Sequence, residues 1–184
     1  MGIETEKKLR LTSEQVRRVN ERLVEIGAVR RGEDFEENTL YAGGTLDPQS
    51  SVLRLRRVAD GAVLTYKEVL TLTSSVSTVK RRREDETRVE DADALAAILE
   101  ALGFTPALVY EKRRATWEVA DAEVVVDELP FGLFLEIEGE ESEILEVERL
   151  LDLSAAEVEM ATYPELTVRF GSKRDGMIEA RFRK

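Results

Sequence analysis

The sequence predicts an α+β protein, a single domain over residues 1–184 built as a closed or nearly closed antiparallel β barrel with helices packed outside. Three observations predict this. Apolar and polar residues alternate with period two in run after run, the spacing of strands with one buried face. Two stretches and a weaker third repeat apolar residues at helical intervals. The halves of the chain also echo each other. Glu4-x-Glu6 precedes a helix ending at Gly27, with Tyr41 fourteen residues later; Glu84-x-Glu86 precedes a helix ending at Gly103, with Trp117 fourteen residues later. Two sheet-plus-helix halves facing one another close naturally into a barrel.

Taken in order, the chain opens MGIETEKKLRL, which as a strand places Glu4, Glu6 and Lys8 on one face and Ile3, Thr5 and Lys7 on the other. Thr12-Ser13-Glu14-Gln15 has the spacing of a capping box, and Val16, Val19, Leu23 and Ile26 continue the helix as far as Gly27. SVLRLRRV and AVLTYKEV alternate as strands, and the Asp60-Gly61 turn between them marks a hairpin. The second helix carries Leu95, Ile98, Leu99 and Leu102 behind Asp91 and Asp93, and stops at Gly103. LVYEKRRATWEV, AEVVVDEL and LFLEIEGE are further strands, the last two parted by an LPFG turn. An acidic third helix from about Ser142 to Leu151 presents a solvated outer face. Trp117, Phe104, Phe131, Phe134, Tyr41, Tyr66 and Tyr110 fall in apolar or strand contexts and read as packing residues.

Composition narrows the chemistry. The net charge of −11 argues against general attraction to nucleic acid or to an anionic membrane, so neither is expected as a partner. The chain contains no cysteine and no histidine, which excludes disulfides, thiolate chemistry, a Ser-His-Asp triad and the commonest transition-metal ligands. No apolar run approaches the ~20 residues of a membrane span, and the N-terminus is charged where a signal peptide would be apolar. A cytoplasmic location is the expectation.

Charged residues at alternate positions are sorted by sign. Glu4/Glu6, Glu84/Glu86 and Glu136/Glu138 are carboxylate pairs; Arg54/Arg56 and Lys112/Arg114 are cationic pairs, and Lys8 and Lys67 lie on the same kind of face. A solvated face mixes polar types, whereas paired carboxylates repel unless a cation sits between them. Oxygen-only ligands select hard ions, so Mg2+ or Mn2+ is the expected cofactor. The arginines and lysines match a chain of phosphates. A polyphosphate held by both metal and guanidinium satisfies the two sets together, and phosphoryl transfer needs little beyond such positioning.

On these motifs the sequence resembles the CYTH family, the triphosphate tunnel metalloenzymes that include class IV adenylate cyclases and thiamine triphosphatases. The E-x-E-x-K motif is Glu4-Thr5-Glu6-Lys7-Lys8; LRLRR at Leu53 to Arg57, LTYK at Leu64 to Lys67, Glu84-x-Glu86, Lys112-x-Arg114-x-x-Trp117 and VVVDELPFGLFLEIEGE follow in order. The resemblance implies an eight-stranded antiparallel β tunnel with helices outside and a polar interior. It implies metal ligation by Glu4, Glu6, Glu136 and Glu138, and triphosphate binding by Lys8, Arg54, Arg56, Lys67, Lys112 and Arg114. It also implies catalytic roles for Glu84, Glu86, Asp127 and Lys67, with the glutamates holding a second ion or ordering the water nucleophile. Tyr163, in TYPEL, would close one mouth. The implied function is a metal-dependent triphosphatase acting on inorganic, thiamine or nucleoside triphosphate. A class IV-like adenylate cyclase and a non-catalytic polyphosphate-binding module are the alternatives, and a homodimer is open. The chain departs from the family at YAGGTLDPQS, where an aromatic-Asp-Thr turn is usual and Asp47 is the available replacement. The basic run Lys80 to Arg83 in EVLTLTSSVSTVKRRRE, beside the implied mouth, reads as a solvated loop, with an accessory contact to a long phosphate tail as the alternative.

Overall fold

The computed structural model of the chain describes residues 2–47, 50–69 and 80–183, with the side chains of all these except 2–4, 69 and 80–82. Its first strand, β1 (Gly2–Leu11), sets the pattern for the rest. Lys8 is buried on the inner face, where its Nζ lies 3.2 Å from Glu136. Lys7, one residue earlier, points outward and meets Glu148 of an outer helix at 2.6 Å.

After β1 come α1 (Ser13–Glu25), β2 (Val29–Gly43), β3 (Ser51–Val58), β4 (Gly61–Val69), β5 (Lys80–Val89), α2 (Ala92–Ala101), β6 (Phe104–Val119), β7 (Ala122–Leu129) and β8 (Gly132–Glu138). The sheet path β6-β2-β3-β4-β5-β1-β8-β7 returns to its start, because β7 also pairs with β6. Each of these pairings is antiparallel. The eight-stranded tunnel implied by the sequence is therefore present.

The echo between the halves is an echo of topology. Exchanging β1–β4 with β5–β8 turns the β4–β5 pairing into β8–β1, β2–β3 into β6–β7 and β3–β4 into β7–β8; β1–β5 and β2–β6 map onto themselves. Within the ring, β1 pairs only with β5 and β8, both from the other half.

Where helices pack on the barrel, the outward-facing residues are mostly apolar. Val19 and Leu23 of α1, with Ile144 and Val147 of α3 (Glu141–Leu150), pack on Leu9, Leu11, Val124, Val126, Leu135 and Ile137. Burying a side chain of this size contributes about 2 kcal/mol. The capping box is as predicted: the Gln15 N–H donates to the Thr12 hydroxyl at 3.2 Å, and the Thr12 N–H donates to the Gln15 side chain at 2.8 Å. Gly27 ends the turn at φ 73°, a conformation glycine adopts without strain. On the far side Leu99 of α2 packs with Tyr41, Leu55 and Ala62. Trp117 and Phe134 are buried in apolar clusters, Phe131 packs on the cluster of Phe134, and Phe104 packs on that of Tyr41, Leu55 and Leu99, as expected.

Toward one end the inner face also turns apolar. Leu40, Leu108, Tyr110, Leu129 and Phe134 meet Tyr163 and Leu166 of α4 (Tyr163–Phe170), which follows the short strand β9 (Glu157–Val158). A capping box starts α4, the Glu165 N–H donating to the Thr162 hydroxyl. The chain then forms the β10 (Ser172–Arg174) and β11 (Met177–Ala180) hairpin, and β11 runs parallel to β6 at Leu108–Tyr110, on a stretch that β7 does not pair.

The structure corrects one expectation outright: Lys80 to Arg83 begin strand β5 and are not a loop. Arg83 is partly exposed and pairs with Asp85 at 2.9 Å. The side chains of Lys80, Arg81 and Arg82, and residues 70–79 of the same segment, lie outside the described residues. Strand β2 and helix α4 are additions to the elements read from periodicity. Among the described residues no helix is long and apolar enough to cross a membrane.

Candidate active site

Because successive residues of a strand alternate between faces, the carboxylate and cation pairs arrive in one lumen. Ligand oxygens of Glu6, Glu136 and Glu138 all lie within 4.8 Å of one another, on the neighbouring strands β1 and β8 where Glu6 is directly opposite Glu138. These three hard donors fit a divalent ion such as Mg2+. Glu4 is on β1 opposite Arg82, and its side chain lies outside the described ones.

Glu136 belongs to both charge sets. It accepts from Arg114 Nη2 at 2.7 Å and faces Lys8 Nζ at 3.2 Å. Burial alone would raise its pKa, but the charges of Lys8, Arg114 and Lys112 more than offset this and hold it well below the usual carboxylate range.

Arg114 also grips Asp127 on the next strand through two bonds, Nε to Oδ1 at 2.8 Å and Nη2 to Oδ2 at 2.6 Å. Asp127 is fully buried, accepts from the Tyr163 hydroxyl at 2.8 Å, and lies 3.5 Å from Lys112 Nζ. Tyr163 thus anchors α4 to the lumen, its ring lying 3.9 Å from Lys8 Nζ. Burial, then the nearby Asp127 and Glu136 charges, push the Tyr163 pKa far up, so its hydroxyl keeps the proton it donates.

The opposite wall carries the second group. Arg56 donates to Glu86 at 2.9 Å, the Thr65 hydroxyl donates to the same oxygen at 2.6 Å, and Arg54 lies 3.5 Å from it. Lys67 pairs with Glu84 at 2.7 Å. Burial would raise the Glu86 pKa, but the Thr65 hydrogen bond and the Arg56 charge bring it below the ordinary value.

Two buried residues of this lumen were not singled out from the sequence. Glu36 and Asn38 lie on the inner face of β2, 3% and 0% exposed. Glu36 sits 3.3 Å from Lys112 and accepts from Asn38 at 3.2 Å. The available signal was the Glu36-x-Asn38 alternation opposite Lys112. Asp47, by contrast, is exposed; it accepts from the Ser50 hydroxyl at 2.8 Å, in the turn that leads into β3.

The CYTH domain model matches residues 2–168. The chain belongs to the CYTH family. A Methanocaldococcus jannaschii protein named as a candidate adenylate cyclase is 27% identical over 154 residues, covering 82% of this chain and 84% of that protein. A solved Pyrococcus horikoshii structure is 26% identical with a TM-score of 0.73, covering 89% of this chain and 98% of its own. A candidate adenylyl cyclase from Hippeastrum, described as having a dominant triphosphatase activity, shares the fold at 19% identity and a TM-score of 0.67, with 89% and 93% covered. Among the described residues the carboxylates brought together here are Glu6, Glu36, Glu84, Glu86, Asp127, Glu136 and Glu138, and the cations are Lys8, Arg54, Arg56, Lys67, Lys112 and Arg114.

Proposed function

We propose that this CYTH protein is a divalent-metal-dependent triphosphatase. The observation that carries the reading is the junction at Glu136, where a three-carboxylate cluster meets the cations of a phosphate clamp inside one enclosed lumen.

In this reading Glu4, Glu6, Glu136 and Glu138 would hold Mg2+ or Mn2+, which when bound neutralises phosphate charge and polarises the phosphoryl oxygens. Lys8, Arg54, Arg56, Lys67, Lys112 and Arg114 bind and orient the triphosphate. Glu84 and Glu86 orient the attacking water toward the terminal phosphorus, with Lys67 beside Glu84 at 2.7 Å. Asp127 acts through Arg114, which it fixes with two hydrogen bonds. The triphosphatase activity described for the Hippeastrum relative supports this choice, and the name of the Methanocaldococcus relative supports the rival, an adenylate cyclase using the same clamp.

Phosphorus NMR of the products separates them. The protein is offered inorganic triphosphate and ATP in separate tubes with Mg2+ or Mn2+. Orthophosphate plus pyrophosphate from the first is the expected result. Cyclic AMP plus pyrophosphate from ATP replaces the proposal with a cyclase, and no change in either tube, nor with thiamine triphosphate, leaves a binding module.

A further inference from the structure

Among the described lumen carboxylates, Glu36 is neither in the three-carboxylate cluster nor in the pair assigned to the water. It nevertheless sits at the centre of the clamp. One oxygen lies 3.3 Å from Lys112 Nζ and accepts from Asn38 at 3.2 Å; the other lies 3.7 Å from Arg56 Nη1. Burial alone would push its pKa up, yet Lys112, Arg114, Arg56 and Arg54 together hold it down at about 2. Four cations assigned to substrate therefore act on one carboxylate. Carboxylate and phosphate oxygens make the same kind of charge-assisted bond to lysine and arginine. A phosphate reaching Lys112 and Arg56 finds that place already held by a negative charge.

Resting on the triphosphatase reading, we propose that Glu36 is a built-in counter-anion that competes with phosphate for Lys112 and Arg56, and thereby makes the lumen prefer a metal-complexed triphosphate to metal-free polyanions. Its repulsion grows with the net charge of the ligand. A bare triphosphate meets it with its full charge, while one complexed by divalent cations meets it with much less. The same competition speeds product loss, because a pyrophosphate or orthophosphate has fewer contacts with which to displace Glu36.

The sign of one substitution separates this role from a structural one. If Glu36 only positions Lys112 and Arg56, Glu36→Gln loosens the clamp and weakens binding. If it competes, Glu36→Gln strengthens binding of the metal-free ligand. The test is calorimetric titration of the non-hydrolysable imido analogue of triphosphate, in excess EDTA and in Mg2+. Glu36→Gln is expected to bind the metal-free analogue at least about tenfold more tightly than the wild type, with a change of under about threefold in Mg2+. Equal or weaker metal-free binding by a folded Glu36→Gln protein overturns the inference and leaves the triphosphatase reading standing. Failure of the wild type to bind in either condition overturns both. Should Glu36→Gln not fold, the comparison moves to Lys112→Gln against Lys112→Gln/Glu36→Gln, where no lysine is stranded. There the double variant is expected to bind the metal-free analogue more tightly, and the opposite order overturns the inference.

Discussion

Removing the charge of Asp127 tests whether the lumen is as dry as its burial implies. Asp127→Asn keeps the shape and leaves one oxygen for the Tyr163 hydroxyl and Arg114 Nη2 at 2.6 Å, but it removes the charge beside Arg114 and Lys112 and replaces the acceptor of the 2.8 Å bond from Arg114 Nε with an amide donor. Breaking one partner of a buried pair costs about 3–5 kcal/mol. Arg114 keeps Glu136 at 2.7 Å, which offsets part of that, so the net loss is about 2–4 kcal/mol. The adjacent rung of the same two strands supplies the control. Arg113 and Glu128 make a similar pair at 3.0 Å on the outer face, both about half exposed, and Glu128→Gln should cost under about 1 kcal/mol. Urea denaturation measures both; with a slope of about 2–3 kcal/mol per molar, the Asp127→Asn midpoint falls by roughly 0.7–2 M. Equal small shifts for the two variants would refute the reasoning, because they would mean that water screens Arg114 as well as it screens Arg113.

Three further outcomes are expected. Lys8→Met should lower kcat/KM for inorganic triphosphate by at least about a hundredfold while Lys7→Met stays within a few-fold, since one faces Glu136 and the other Glu148; similar losses would contradict the inward assignment of Lys8. Glu138→Gln should raise the Mg2+ concentration needed for half-maximal activity by about tenfold or more, removing one of three clustered ligands; an unchanged metal requirement would exclude Glu138 from ligation. Acid titration should show the effect of Glu36, whose folded pKa of about 2 lies below its ordinary 4.5. A depressed carboxylate stabilises the fold above its unfolded pKa, and that stability, on the order of 3 kcal/mol, is lost as pH falls from about 5 through 2. Glu36→Gln should flatten the stability curve across that window, and a curve of unchanged steepness would count against the pairing.

What was legible in the sequence follows from how strongly each element alternates. Strands β3, β4, β7 and β8 put apolar residues on the outer face and charged or apolar ones within, so Leu53, Leu55, Leu135 and Ile137 announced them. Strand β2 carries polar residues on both faces, Glu33 and Glu37 outside and Glu36 and Asn38 inside, and no period-two signal survives. That is also why Glu36 was missed. Helix α4 spans only Tyr163–Phe170, too short for a repeat, although the Thr162-x-x-Glu165 capping box was there to be read. The carboxylate pairs were visible because two-residue spacing fixes a shared face. Which cation meets which carboxylate was not, because each pair skips a strand and depends on the register of two successive pairings: Arg114 reaches Glu136 across β7, and Arg56 reaches Glu86 across β4.

The exchange of first strands between the halves has a consequence for how the molecule comes apart. Strand β1 finds its ring partners in β5 and β8, and β5 finds one of its own in β1, so neither half can satisfy its backbone hydrogen bonds alone. Peeling one half away would expose raw sheet edges on both. The two halves are knitted like a swapped dimer fused into one chain, and calorimetry should register a single unfolding event whose calorimetric and van't Hoff enthalpies agree. Deleting β1 would do more than shorten the ring by one strand; it would unpick both halves together.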